Sequence, residues 1–445
     1  MLKATRIILL AALTAAAHQL LSTPPAQGGE EKKHHIFSSP LHIPTLLAGN
    51  FGETRPRHFH GGIDIKTQGK EGKAVFAIGD GQICAIITGH PVVGNALVIK
   101  HPQGYISMYY HLQRFAPHIA AYAKKNGKVN GNNFNLSTFA FPASRQRPLV
   151  QPFNLPRLLP VAKGQLIAMS GSTGISMGPH LHLELHDLRT RQLLDPLDHV
   201  DLNLTDHTAP RLHQLKAYPQ DTLSHIDGHR QPHIILDEGL RMKDESINPS
   251  SNSPLPSEGF GEATAWGRVA FAINAHDYMD GSANKLGIRL IQFYVDKQLV
   301  FQRTMQRFMP SEHQLAEKTA EREDNNCYLY TWQPKGVSSN IYATDDTRGI
   351  VNFDHERDYH LVFLLTDQQG NQNRYAFTVR GRKETAPETD DEDELDDNHD
   401  TSKAKLHEKD NTDVRRKHNA NVRKKGKTSI KKKSKASRNR KHRRR

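Results

Sequence analysis

The segment His180-Leu181-His182-Leu183-Glu184-Leu185-His186-Asp187 alternates polar and aliphatic side chains one by one. In an extended strand residues i and i+2 share a face. His180 and His182 therefore emerge side by side, while Leu181 and Leu183 point the other way, toward a core. Short apolar runs of this kind recur between about Pro40 and Leu204, punctuated by glycine: "AVFAIGDGQICAIIT", "NALVIKHPQGYISMYYHL" and "GQLIAMSGSTG". His101-Pro102-Gln103-Gly104 reads as a hairpin turn between two of them. The expected class is mainly β.

A second series of strand patterns runs from about Asp206 to Arg382. It includes "ATAWGRVAFAINAHD", "GIRLIQFYVDKQLVFQR" and "DYHLVFLLTDQQGNQNRYAFTVRGR", and it lacks helix-period segments. This predicts a β-sandwich, Ig-like in outline. Within it "DYMDGSANKLG", Asp277–Gly287, has the acidic look of a calcium loop, but its spacing departs from the EF-hand pattern. It reads as a surface turn.

The 445 residues leave room for two or three domains of ordinary size. Lys3 and Arg6 precede an 11-residue apolar run, Ile7 to Ala17, that ends in small residues suited to signal cleavage. About 20 such residues are needed to span a bilayer, so the run predicts export rather than an anchor. The segments expected are a signal peptide at 1–17 and a linker at 18–40. A first β domain at 41–204 and a β-sandwich at 205–382 follow. Charge separates the last segment, 383–445. The formal charge is +13, yet 20 of the 60 Lys and Arg lie in residues 401–445 beside only 3 acidic residues. The remaining 40 basic residues face 44 acidic ones, so the basicity belongs to the tail. The acidic run "ETAPETDDEDELDDNHD" and the basic end cannot bury a core and read as disordered. Such a tail would hold anionic envelope polymers by counterion release, and export argues against nucleic acid as partner. Cys84 and Cys327 are the two cysteines, and they read as buried free thiols rather than a scaffold.

Three separated motifs carry candidate chemistry. In "RHFHGGIDIKT", Gly61 and Gly62 exclude a helical His60/Asp64 pair and suggest a loop that turns tightly before the strand "IDIKT". His180 and His182 share a strand face, and His111 ends the strand "YYHL". Two imidazoles, a further His and an Asp can supply a three-ligand zinc site, with zinc–ligand bonds of about 2.0–2.2 Å and a fourth position left for water. The long insertion after His111 opens on a helical pattern ended by Gly127 and continues as a Pro- and Asn-rich loop. His58, His101 and His186 read as structural or exposed, Tyr109 as packing or groove lining, and Ser172 and Thr173 as turn formers.

"HFHGGID", "YYHL" and "GSTGISMGPHLHLEL", in that order, resemble the lysostaphin-type (LytM-like) zinc metallopeptidases of peptidoglycan. The resemblance covers about residues 45–195. It implies an open antiparallel β-sheet peptidase domain, one Zn²⁺ per chain held by His60, Asp64 and His182, and a catalytic pair of His180 and His111. The resemblance assigns activation of water to His180, and to His111 the steadying of an oxyanion or protonation of the leaving amine, the two roles being exchangeable. The implied function is an exported endopeptidase of the periplasm or cell envelope, cutting peptide cross-links of peptidoglycan. The alternative is a non-catalytic regulator that keeps this fold to bind peptidoglycan or a wall hydrolase.

Overall fold

A computed structural model describes residues 35–126, 129–130, 158–237 and 263–383. The expected signal segment, most of the insertion after His111 and the charged tail from residue 384 lie outside these residues.

The strands that matter to the site are β1 (Leu47–Gly49), β2 (Ile63–Lys66), β3 (Gly81–His90), β4 (Gly94–Lys100) and β5 (Tyr105–Leu112). After helix α1 (Pro117–Asn126) come β6 (His180–Asp187) and β7 (Gln192–Leu194). Strands β3, β4, β5, β6 and β7 are antiparallel neighbours in that order, and β2 also pairs with β6. The turn joining β4 to β5 is residues 101–104, as the His-Pro-Gln-Gly signal predicts.

Alternation along β6 does the sorting. Leu181, Leu183 and Leu185 are fully buried in one apolar core with Ile63, Ile65, Leu97 and Tyr109. Full burial of each leucine contributes roughly 1.5–3 kcal/mol, an upper estimate because the unfolded chain also hides apolar surface. The polar face of β6 is thereby fixed on the opposite side. Residues 35–40, expected within the linker, are partly built in: Phe37 is buried in the same core and pairs in register with Val200. An aromatic among polar residues is enough to dock a stretch that composition alone reads as linker.

The second strand series builds β8 (Arg211–Pro219), β9 (Ala263–Tyr278), β10 (Leu290–Val295), β11 (Gln298–Thr304), β12 (Arg307–Phe308), β13 (Asn326–Tyr330), β14 (Asp358–Thr366) and β15 (Gln372–Gly381). Its core centres on Phe271, Phe293 and Phe363, the last two stacked at 4.4 Å. Apart from β12, the hydrogen-bonded path through these strands is continuous because the 16-residue β9 serves two groups. Ala263–Ala265 pair with β15, whereas Val269–His276 pair with β8. Between them Gly267 takes φ +73°, a left-handed conformation that redirects the strand. A Cβ there would also lie 2.7 Å from Ser224 Oγ.

The reading of Asp277–Gly287 as a surface turn holds for its tip, where Gly281 and Ala283 are exposed, but not for its ends. Asp277 and Met279 are buried, and Leu286 is buried in the first core. The polar spacing that suggested a turn hid two apolar anchors.

The two strand series are stitched together. Strand β7 pairs with β12 through Leu193 and Phe308, and Met305, Phe308 and Ala316 join the core of the first series. A 3-10 helix, Pro310–Glu317, follows β12 and packs on His58–Phe59. Among the described residues no helix is long and apolar enough to cross a membrane.

Gly267→Ala is expected to destabilise the protein by about 1–2 kcal/mol, since alanine must occupy a left-handed conformation against Ser224. Denaturant unfolding of full-length wild type and variant measures it.

Candidate metal centre

Strand β6 lies between β2 and β5, which fixes a cross-strand row: Asp64 and Tyr110 stand opposite His182 on its two sides. Cross-strand partners approach closely, so three residues distant in sequence meet without a loop having to hold them. His60 arrives from just before β2. Its Nε2 lies 3.1 Å from His182 Nδ1 and 3.3 Å from Asp64 Oδ1. The third side, His182 Nδ1 to Asp64 Oδ1, is 2.8 Å. Zinc with bonds of about 2.0 Å in tetrahedral geometry separates its donors by about 3.3 Å, so this triangle of two nitrogens and one oxygen fits the ion. Each of the three residues is buried, and their donor atoms face one another.

Every donor has its far side occupied. His60 Nδ1 donates to the backbone oxygen of Asn50 at 2.7 Å, which turns Nε2 toward the centre. Arg55 Nη2 donates to Asp64 Oδ2 at 2.6 Å, which leaves Oδ1 for the centre. His182 Nε2 is 3.1 Å from Glu184 Oε1 and donates to it. Glu184 Oε2 in turn accepts from His186 Nε2 at 2.8 Å and from Tyr110 Oη at 3.1 Å. The Tyr110 ring stacks on His182 at 4.9 Å, almost parallel.

The electrostatics follow. Burial opposes ionisation of Asp64, yet the neighbouring His60 charge and hydrogen bonds from His182 and His60 hold its carboxyl well below the usual carboxylate range. Burial likewise opposes a charge on His182, but hydrogen bonds to Asp64 and Glu184 outweigh it and push the imidazole up to about 9. Burial opposes ionisation of Glu184 too, but hydrogen bonds from His182 and His186 hold it well below its ordinary value.

His111 and His180 stand beside this centre. Their rings are 4.6 Å apart, and His180 Nε2 is 3.6 Å from Asp64 Oδ1. His180 Nδ1 donates to Gly178 O at 2.8 Å and His111 Nδ1 to Thr173 O at 2.8 Å, so both present Nε2 as the acceptor. Burial lowers His111 to about 4 and keeps it neutral at physiological pH. Its φ of +62° is a left-handed backbone that a non-glycine residue seldom adopts.

All five singled-out residues thus gather in one place. Several other expectations change. Gly61 and Gly62 do not take positive φ; what Gly62 permits is close approach, since a Cβ would lie 2.2 Å from the Leu183 carbonyl oxygen. Tyr109 does not line a groove: it is fully buried, its hydroxyl accepting from Ile78 N at 3.0 Å. Its neighbour Tyr110 has the role at the site. Thr173 makes its turn and also holds His111. His101 is a buried structural residue bonded to Asp80 O and Ser107, and His58 is exposed. Cys84 and Cys327 are free, the first buried and the second partly so. Glu184, Tyr110, Arg55 and Asn50 were missed. The alternation that revealed His180 and His182 extends to Glu184, whereas Asn50 and Arg55 carry no local signal.

The family model of Peptidase family M23 matches residues 58–131, a stretch that includes His60, Asp64 and His111. Residues 58–131 are thus similar to an M23 peptidase domain. The histidines of β6 lie beyond the matched stretch. Peptidoglycan DD-endopeptidase ShyB of Vibrio cholerae serotype O1 is 29% identical to the chain over 126 residues, which are 28% of this chain and 20% of that protein. Peptidoglycan DD-endopeptidase ShyA of the same organism is 30% identical over 114 residues, 26% of this chain and 17% of that protein. The chain thus spans about a fifth of the length of these curated relatives. Among solved structures, a zinc-containing peptidase from Vibrio cholerae is similar at 26% identity over 33% of this chain and 35% of its own, with a TM-score of 0.22.

Three outcomes are expected of this site. Because His182 sits near 9 without metal, zinc binding at pH 7.5 should expel about one proton, read by calorimetry in buffers of different ionisation enthalpy. The same raised value stabilises the metal-free fold below about pH 6.5, and this contribution is lost as pH rises through about 9. Removing the brace by Glu184→Gln should weaken zinc binding about 10–100-fold, read by competition with a chelator.

Proposed function

We propose that the protein is an exported zinc metalloendopeptidase that hydrolyses peptide cross-links of peptidoglycan. The observation that carries this reading is the donor triangle of His60 Nε2, Asp64 Oδ1 and His182 Nδ1, with sides of 2.8–3.3 Å. The M23 domain supports the peptidase class, and the two Vibrio relatives named for peptidoglycan endopeptidase activity support the substrate class. We assign the peptidase region to residues 41–204, the second β region to 205–382 and the charged tail to 383–445. Export to the periplasm or envelope rests on the N-terminal pattern of Lys3, Arg6 and Ile7–Ala17.

His60, Asp64 and His182 would hold one zinc ion. Bound there, zinc supplies Lewis acidity toward the scissile carbonyl and a water made acidic near pH 7. His180, with Nδ1 committed to Gly178 O, offers Nε2 to take the water's proton. His111, with Nδ1 committed to Thr173 O, faces the same space. Its Nε2 is an acceptor in the resting site, so it donates to an oxyanion or a leaving amine only after taking up a proton during turnover. Arg55 keeps Asp64 ionised and oriented, a positioning role. The non-catalytic alternative finds no support in the site, since none of the five side chains is missing. Anionic envelope polymers are the proposed partners of the basic tail.

His60→Ala should abolish both zinc binding and digestion of purified peptidoglycan. His111→Ala should retain zinc and lose roughly 10²–10⁴ in kcat. Mass spectrometry of fragments released from defined peptidoglycan identifies the bond, with bonds to D-alanine expected and glycine bridges the other outcome. A His60→Ala variant that still digested peptidoglycan would remove the assignment.

A further inference from the structure

A second group of acidic side chains lies far from the M23 site in sequence and chemistry. Asp206 follows the last strand of the first series, Asp277 is near the end of β9, and Asp367 opens the turn between β14 and β15. One carboxylate oxygen from each lies within 4.8 Å of the others. Asp277 and Asp367 are each only 1% exposed. Among the described residues, no basic side chain pairs with any of the three. Arg289, whose charge reaches Asp367, is held by Asp198 at 2.8 Å and Asp195 at 3.4 Å.

The three carboxylates are not equally provided for. Asp367 Oδ1 accepts from the backbone of Gln369, Gly370 and Asn371 at 2.7–2.8 Å, and its Oδ2 from Asn371 Nδ2 at 2.7 Å. Asp206 Oδ1 accepts from Thr208 N at 3.1 Å and Asp280 N at 3.0 Å. Asp277 Oδ1, by contrast, is buried with no hydrogen-bond partner. A buried oxygen left so is costly, and here it sits beside two carboxyls that burial pushes up and hydrogen bonds only partly restore. Burial, then the charges of Asp367 and Asp206, push the Asp277 carboxyl up to about 9. A small cavity lined by Asp206, Asp277, Gln368 and Leu47 adjoins them.

We propose that Asp206, Asp277 and Asp367 bind a calcium ion at the junction of the two strand series. The ligands are all oxygen, as hard cations require, and oxygens bound at about 2.3–2.6 Å span up to roughly 5 Å across the ion. Magnesium demands shorter bonds and stricter octahedral geometry, so it fits this spread less well. A cation there gives Asp277 Oδ1 its partner and cancels the repulsion among the three groups. It would also pin the segment after β9 to the turn between β14 and β15.

The test uses the purified full-length protein, with thermal unfolding followed across a calcium titration and terbium luminescence as the direct probe, excited through the adjacent Tyr278. Calcium at a hundredfold excess over its dissociation constant should raise the midpoint by about 5 °C, with a smaller rise for magnesium. Asp277→Asn keeps the side chain's size and removes its charge. It should fold without calcium and lose both the shift and the luminescence, and Asp206→Asn, the most accessible of the three, serves should Asp277→Asn not fold. Asp64→Asn should keep both responses, separating this site from the M23 centre. An unfolding temperature indifferent to millimolar calcium, or a calcium response that survives both junction variants, would overturn the proposal. Equal shifts with magnesium would overturn the assignment to calcium.

Discussion

The burial of one carboxylate, Asp64, organises the first half of the molecule. An ionised group in an apolar interior is tolerable only when surrounded by donors, and its neighbours divide the work. Oδ2 is taken by Arg55, and Oδ1 lies against His60 and His182. The consequence is a coordination-ready triangle whose remaining polar contacts all point outward. His182 is braced by Glu184, which is itself saturated by His186 and Tyr110. The three donor atoms already face one another, so nothing in this arrangement has to be assembled to bring them together.

The second half contributes directly to that order. Asn50, whose backbone oxygen orients His60, is clamped by its own side chain to a segment more than 230 positions later. Its Nδ2 donates to Gly287 O at 2.8 Å, and Gly287 N donates to its Oδ1 at 2.7 Å. His313, on the 3-10 helix after β12, donates to Phe59 O at 2.8 Å, next to His60. Arg303 reaches Thr54 Oγ1 at 2.9 Å and lies over the ring of Phe59. The loop that presents His60 is therefore held by elements of both strand series.

Much of this was legible in the residues. The alternation in His180–Asp187 declared a strand, its buried face and its ligand face together, because a period of two leaves no other arrangement. The His-Pro-Gln-Gly turn was equally local. What escaped is what depends on register and on tertiary approach. Whether Tyr109 or Tyr110 faces His182 follows from pairing with β6, and one position decides it. Gly62 was read as a turn former, but its need comes from the Leu183 carbonyl pressed against it, visible only once β2 lies beside β6. Asn50 and Arg55 gave no sign, since their partners are supplied by other segments. Asp277 was hidden for the same reason: its companions Asp206 and Asp367 lie 71 residues before it and 90 after it.

The clamp between Asn50 and Gly287 limits how far the two halves are interchangeable parts. A fragment ending near residue 204 would keep all five histidine and aspartate side chains of the centre. It would nonetheless surrender the brace behind His60, the apolar cover from Met305 and Phe308, and the strand beside Leu193. Shuffling the metal-bearing half onto a foreign neighbour would thus carry the ligands but not their alignment. Selection should treat the pair as a single heritable unit, with residues near Gly287 constrained as tightly as those of the donor triangle.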